Sequence, residues 1–510
     1  MKLNHGLLWV VLVSTLLAGC ASAPLDYPRD PSVALEDTAD TSLADKAANW
    51  LDGNTESNGF YPLLEGFDAF GARLALMRRA EVSIDAQYFL MKPDNAGFVF
   101  AAKLLEAAER GVRVRLLLDD VFTTVDDAAL AFLDDHPNIE VRIFNPVARQ
   151  GIYAFNYLGN FTLANRRMHN KSFIADNQVA IVGGRNIAVE YFQLETTGEF
   201  IDFDIFTAGP IVREISTEFD NYWNHGLAVP MEALYGENDS GKLAEKAGNL
   251  QRQMDLAGDS IYADAINTPL MTQIYANSLD PYIGAASLFV DDPQKLLEEV
   301  SVTRQITANG FREALAAADE EIIIFTPYFI PGERGMAFIE KLREKDLRIV
   351  LLTNSLATNN HTSVHSAYSS YRKRLLQAGV ELWEARPDAA KITTEAGETE
   401  LEQLTLHSKG ALIDGRRVFV GSLNLDPRSI DINTELGLLI DSPELGQRLT
   451  ESALERVQRI GYRLELDEDN RISWHATIDG REVVETSDPQ TSVWRRMSAW
   501  FLKIAPEKQL

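Results

Sequence analysis

Short runs of β-branched and aliphatic residues alternate along this chain with stretches in which apolar residues recur every three or four positions. The runs Val82–Met91, Val112–Asp120, Glu321–Ile330 and Leu347–Ser355 are apolar enough to be buried strands. Between them, Phe98–Gly111 and Gly335–Asp346 have the spacing of helices that press one face on a core. Strand and helix in turn predict an α/β fold, with a mixed sheet flanked by helices in each of two blocks. The blocks are placed at 58–230 and 300–460. Residues 231–299, with scattered Gly and Pro, read as a mostly helical connector, and 461–510 as a C-terminal extension.

The two blocks resemble each other. His169–Asn186 aligns without gaps to His407–Asn424, and Val82–Met91 and Val112–Asp120 parallel Glu321–Ile330 and Leu347–Ser355. Within the longest match, His-x-Lys-x-x-x-x-Asp occurs twice, as His169, Lys171, Asp176 and as His407, Lys409, Asp414. Each motif is followed after six residues by a glycine step, Gly183 or Gly421, and an asparagine, Asn186 or Asn424. About 0.02 such motifs are expected by chance at ordinary residue frequencies, so two in register are a repeat.

On a strand, His and Lys two residues apart share one face. If the halves face each other across a pseudo-twofold axis, two His, two Lys and two Asn converge on one polar cleft suited to a phosphate. One histidine can attack phosphorus while the other protonates the leaving oxygen. Lys171 and Lys409 would offset phosphoryl charge, and Asn186 and Asn424 would donate to its oxygens. No metal ion or other cofactor is required. A histidine in either role needs a carboxylate to hold its far nitrogen. Phe200–Pro210 aligns to Asn433–Pro443, which offers Asp202 and Glu435 as that orienting pair. Asp176 and Asp414, with Gly183 and Gly421, are expected to fix loop structure, and Glu190 and Asp426 to be structural charges.

Composition narrows the partners. With 48 Lys plus Arg against 75 Asp plus Glu, the formal charge is −27, which argues against nucleic acid as a partner. The one cysteine, Cys20, excludes a disulfide within the chain, a cysteine zinc site and a CxxC redox pair. It sits instead at the end of an N-terminal pattern of Lys2, an apolar run from Gly6 to Ala18, and Leu17-Ala18-Gly19-Cys20. That pattern resembles a bacterial lipobox, which implies a signal peptide over 1–19, acylation at Cys20 and a tether over 20–57. The alternative is a short anchoring or core helix. The expected location is the cell envelope outside the cytoplasm, and Ala21, where Asp would retain a lipoprotein at the inner membrane under enteric sorting rules, favours the periplasmic face of the outer membrane.

The paired motifs, the Gly-rich step and the asparagine resemble the phospholipase D superfamily. RRMHNKSFIADNQVAIVGGRNIAVEYF, NLDPRSIDINTELG and the ending WRRMSAWFLKIAPEKQL are similar to its bacterial cardiolipin synthase C-type branch. The resemblance implies duplicated phospholipase D-like domains with one site between them, and a covalent phosphatidyl-histidine resolved by a lipid alcohol or by water. It also implies phospholipid partners, phosphatidylglycerol with or without phosphatidylethanolamine, at a membrane surface. By family precedent His169 is the nucleophile and His407 the acid. A hydrolytic phospholipase D or other phosphodiesterase uses the same residues, and a non-catalytic lipid-binding lipoprotein is a further alternative. GGRN departs from the more usual GSxN, so no hydroxyl is available at Gly184.

Three further features have two readings each. Val493, Trp494, Met497, Trp500, Phe501 and Ile504 form one helical stripe beside Arg495, Arg496 and Lys503, suited to a membrane interface or to the protein's own core. Tyr153, Phe155, Tyr157 and Phe161, ahead of the first motif, could line an acyl-chain path or dip into lipid, with simple core packing the favoured reading. His361 and His365 lack the carboxylate of an HExxH metal site and are expected to be structural or substrate-side.

Overall fold

A computed structural model describes residues 23–503, apart from 55, 151–152, 195–198, 236–247, 249, 255, 257–264, 277, 390, 395–396, 401–403 and 479. Cys20 and the segment before it lie outside the described residues, as does Ile504. In the first half, Ser83–Tyr88 runs parallel to Arg113–Asp119, which is parallel to Ile139–Phe144. On its other side Ser83–Tyr88 is antiparallel to Ser172–Ala175, followed by Val179–Gly183, Asp204–Ala208 and Asn58–Leu63. The second half repeats the order with Glu321–Phe325 at its centre, Arg348–Asn354 and Glu381–Ala385 parallel, and Gly410–Ile413, Arg417–Gly421 and Leu436–Asp441 antiparallel. The duplication is one of topology as well as of sequence.

Alternation along the strands sorts residues into two layers. Ile322, Ile324, Ile349 and Leu351 face the outer helices Ile306–Ala316 and Gly332–Arg343. Ile323, Val350 and Leu352 face inward, into a core shared with Phe60, Ile174 and Trp223 of the first half. The helices Ile211–Trp223 and Pro443–Ile460 fill this middle layer, and Gly66–Arg79 and Asn95–Glu109 cover the outer face of the first sheet. Strands buried on both faces read as nearly unbroken apolar runs. The middle core is drawn from both halves, and each buried Ile or Leu in it contributes about 1.5–3 kcal/mol to the fold relative to an exposed position.

One expectation about the chain's organisation needs correction. Most of the tether is built into the body: Arg29 donates to Gly226 and Ala228 carbonyls, Ala34 N–H to Asp220, and Arg115 to the Ser32 carbonyl. Ser42–Trp50 is a helix that buries Leu43 and Ala47. Residues 23–40 carry no apolar period because polar contacts to their backbone hold them. The connector is helical at Met231–Leu234 and Pro269–Ala276, and it also holds a long strand, Tyr282–Val290, that pairs with Asn58–Phe60 at one end and Leu436–Asp441 along the rest. Its Gly-Ala-Ala-Ser centre has weak strand propensity, and pairing with two successive partners supplies what propensity does not. The C-terminal extension first widens the second sheet, with Gly461–Leu466, Ile472–Ile478 and Arg481–Glu485, before its helix Val493–Leu502.

Candidate active site

The His-Lys segments are not within strands as expected. His169 and Lys171 lie just before Ser172–Ala175, and His407 and Lys409 lie between Leu404–Leu406 and Gly410–Ile413. Their backbones are extended because each is laid against the opposite half. His169 N–H donates to the Thr434 carbonyl at 3.0 Å, and His407 N–H to the Ile201 carbonyl at 2.8 Å. Leu404–Leu406 pairs in parallel with Glu199–Ile201, and Met168 bridges to Thr434.

Since Ile201 and Thr434 precede the two aligned carboxylates, this seam crosses them over. Glu435 of the second half meets Nδ1 of His169 at 2.9 Å, and Asp202 of the first half meets Nδ1 of His407 at 2.5 Å. Both carboxylates are buried; Nε2 of His169 faces away from its carboxylate, and Nε2 of His407 lies 3.2 Å from Lys409 Nζ. Neither half therefore holds a complete histidine–carboxylate pair by itself.

Burial and mutual repulsion set the charges. Desolvation pushes Lys171 down to about 7 and Lys409 to about 8, and the charge of Lys409 lowers Lys171 further. Burial and then the lysines also hold His169 well below the ordinary histidine range and His407 at about 3. The two carboxylates differ. Burial alone would raise Asp202, yet His407, Lys409 and Arg185 bring it below its usual value. Burial wins at Glu435, which is pushed up to about 7. The cleft thus holds two neutral imidazoles, one ionised carboxylate and two lysines whose protonation an anion would favour.

The glycine steps explain their residues. A Cβ on Gly184 would lie 2.1 Å from Oδ1 of Asp202, and one on Gly183 2.2 Å from Asp204. At the aligned place in the second half, Ser422 donates its hydroxyl to Glu435, while a Cβ on Gly421 would meet the Leu436 carbonyl at 2.1 Å. Asn186 accepts from Leu90 N–H and donates to the Tyr191 hydroxyl at 3.0 Å, and Oδ1 of Asn424 is buried with no partner. Asp176, with φ +50°, accepts from the N–H groups of Glu81, Val82 and Ser83, and Asp414, with φ +54°, from those of Asp319, Glu320 and Glu321. Both close the turn after the motif and neither borders the cleft. Glu190 pairs with Lys92, and Asp426 accepts from Ser429 N–H.

Sequence reasoning missed the groups that hold the motif arms. Asp119 accepts from Met168 N–H at 2.9 Å and pairs with Arg167, while Asn354 brackets Leu406 through both its N–H and its carbonyl. These two residues align in the repeat at the ends of Val112–Asp120 and Leu347–Ser355, so their matched position was the available signal. Also missed were the rings: Phe89 lies edge-on to His169, and Tyr191 and Phe200 pack on His407. His365 turns inward to Arg372 at 2.9 Å and His361 lies edge-on to Tyr328, so they form no metal pair.

A family model described as the PLD-like domain of cardiolipin synthase matches residues 74–223 and again 311–456, the two halves seen in the fold. The chain belongs to that family. Cardiolipin synthase C of Escherichia coli K12 is 35% identical over 455 residues, covering 89% of this chain and 96% of the relative. An uncharacterized protein of Helicobacter pylori 26695 is 30% identical over 96% of this chain and 97% of its own length. Among solved structures, the phosphatidylserine synthase of Haemophilus influenzae Rd KW20 superposes with a TM-score of 0.54 at 14% identity, over 82% of this chain and 91% of that one. The chain is thus a phospholipase D-family enzyme with duplicated domains.

Proposed function

We propose that the chain is a phosphatidyltransferase that makes cardiolipin, acting through a covalent phosphatidyl-histidine. The observation that carries this reading is the crossed pair of histidine–carboxylate contacts beside two desolvated lysines. In the first step Nε2 of His169 attacks phosphorus of phosphatidylglycerol. The bond from phosphorus to the glycerol head breaks, and His407 gives that oxygen its proton. Entry of the phosphodiester anion favours the protonated His407 that this step needs, and ionised Asp202 at 2.5 Å supports it. In the second step a hydroxyl of another phosphatidylglycerol attacks phosphorus, His407 takes its proton, and the bond to His169 breaks. The products are cardiolipin and glycerol, or cardiolipin and ethanolamine where phosphatidylethanolamine is the donor. Lys171, Lys409 and the two asparagines balance charge on the non-bridging oxygens.

Acylation at Cys20 and a position at the periplasmic face of the outer membrane belong to the same proposal, supported by the lipobox-like sequence, and intact-mass analysis of the N-terminal peptide from the native host tests the acylation. The activity is tested by incubating purified protein with phosphatidylglycerol, with and without phosphatidylethanolamine, in the presence of a chelator, and analysing products by mass spectrometry. Cardiolipin from the wild type and none from a His169→Ala, His407→Ala variant is the expected result. Phosphatidic acid as the only product would make water the acceptor and the chain a hydrolase.

A further inference from the structure

The C-terminal helix turns its apolar stripe away from the protein. Val493–Leu502 rests on the helix Thr362–Ser369 through Ala499, which is 7% exposed and accepts from the Ser366 hydroxyl, and Arg495 reaches the Asn359 carbonyl. At 3.6 residues per turn, Val493, Trp494, Met497, Trp500 and Phe501 project from the side opposite Ala499. Trp494 is 77% exposed, Trp500 66% and Phe501 58%. The stripe therefore does not serve the protein's own core, one of the two roles its sequence allowed.

A second apolar projection comes from the first half. Tyr153–Gly159 and Phe161–Ala164 leave Phe155 55% and Leu158 65% exposed, with Phe161 beside them, where core packing was expected. Contacts run from both projections toward Arg428 and His169. From the first, Asn165 at the end of Phe161–Ala164 is held by Arg428, whose charge acts on His169. From the second, the Asn359–His361 turn that takes Arg495 also carries Asn360, bonded to Tyr328, and His361, which lies within electrostatic reach of Arg428. Phe122, also exposed, stacks on Phe89 at the edge of His169.

We infer that these two projections form one docking face for an anionic phospholipid bilayer, with the mouth of the cleft between them. Charge selects the occupant: no carboxylate occurs between Asp488 and Lys503, Asp488 is taken by Arg372, and Arg495, Arg496 and Lys503 make this a basic stretch on a chain of charge −27. Tryptophan and phenylalanine rimmed by Arg and Lys suit the boundary between headgroups and acyl chains. Among the described residues no helix is long and apolar enough to cross a membrane, so the helix lies in the surface rather than through it. The purpose of docking, to let a two-tailed substrate pass its headgroup into the cleft without leaving the bilayer, rests on the proposed function. The contact itself does not.

The test uses full-length protein on vesicles of phosphatidylcholine and phosphatidylglycerol whose acyl chains carry bromine, a quencher of tryptophan fluorescence. Quenching in the wild type that is mostly lost in W494F/W500F, and that weakens on vesicles of phosphatidylcholine alone, supports the face. W494S/W500S/F501S should also lower turnover on vesicles about tenfold while leaving turnover of a short-chain, monomeric phosphatidylglycerol unchanged. F155S/L158S/F161S should do the same from the other side. Equal quenching in wild type and W494F/W500F overturns the inference, as does a dimer in solution that the triple serine variant dissolves, which would assign the face to a second copy. Quenching without any phosphatidyl product leaves the face standing and removes the proposed function. Product without quenching removes the face alone.

Discussion

Replacing Asp202 with Asn tests the crossed site most directly, because the amide keeps the shape and removes the charge. Asp202 is buried, 2.5 Å from Nδ1 of His407, and is held ionised by His407, Lys409 and Arg185. A hydrogen bond to a charged group contributes about 1.5–3 kcal/mol, which is about 10- to 100-fold in rate if it is fully expressed as His407 gains its proton. The amide can also donate to Nδ1, which leaves the proton on Nε2 and prevents that atom from acting as the base of the second step. In serine-protease triads the same change of tautomer costs about 10⁴-fold. The expected loss for D202N therefore lies between about 10² and 10⁴ in kcat.

The matching change at Glu435 should cost less, and its cost should depend on pH. With Glu435 at about 7, a large share of it is already neutral at pH 6, where E435Q removes little. The deficit should widen as pH rises to 8 and the wild-type carboxylate ionises. Cardiolipin formation measured by mass spectrometry from pH 6 to 8 gives both numbers, with melting temperatures to confirm folding. A D202N rate within threefold of wild type, or an E435Q loss as large as that of D202N at pH 6, would refute the argument that His407 depends on a fixed charge.

Gly184→Ala places a Cβ where Oδ1 of Asp202 stands, so it should lower kcat about as far as D202N with little change in unfolding midpoint, whereas Ser422→Gly should cost under about tenfold, as read in the same assay. Asp176→Ala strips three backbone N–H groups of their acceptor and should destabilise by about 2–4 kcal/mol in urea titrations, and Asp414→Ala, whose partners are more exposed, by about 1–2 kcal/mol. The lysines give the empty protein a pH signature: both are lowered from 10.5 in the folded state, so the unfolded chain binds more protons between about 7 and 10.5 and stability should rise with pH across that window in denaturant titrations. Inorganic phosphate should reverse part of this, binding with proton uptake near pH 7 and losing affinity above pH 8 in calorimetry, and an affinity constant from pH 6 to 9 would count against both lysines as anion ligands.

Much of this was legible in the sequence because the repeat doubled every signal. The motif residues, the α/β alternation and the aligned Asp202 and Glu435 all follow from comparing one half with the other. What remained hidden has a physical pattern. The tether gave no signal because Asp220, Asn224 and Arg115 hold its backbone, and side-chain periodicity is blind to that. The strand Tyr282–Val290 was missed because its small residues take their conformation from neighbours far along the chain, at Asn58 and Leu436. Phe155 was assigned to a core because apolar spacing says which residues share a face, but not whether anything covers it. The pairing of each carboxylate with the other half's histidine has the same cause, since alignment shows which residues correspond and not which half they serve.

That crossing has a consequence for how the two halves divide the chemistry. A perfect twofold site would give both histidines the same partner, the same proton affinity and no reason to act in different roles. Here one side pairs Asp202 with Gly184, so that the short carboxylate sits deep, close to Arg185 and the lysines, and stays charged. The other pairs Glu435 with Ser422, whose hydroxyl takes one carboxylate oxygen while burial draws the group toward neutrality. A fixed negative charge favours the histidine that must carry a proton, while Glu435, at about 7, accepts from Nδ1 of His169 and frees its Nε2 lone pair only in its ionised fraction. The departure from GSxN in the first half is thus the change that makes the duplicated site unequal. Restoring symmetry by Gly184→Ser together with Asp202→Glu should therefore lower turnover even where the doubled variant folds, and rapid-quench measurement of phosphatidyl transfer to the protein would show the first step, rather than the second, slowed. A symmetrised site that turns over at the wild-type rate would mean that the roles of the two histidines are set by the substrate and not by their carboxylates.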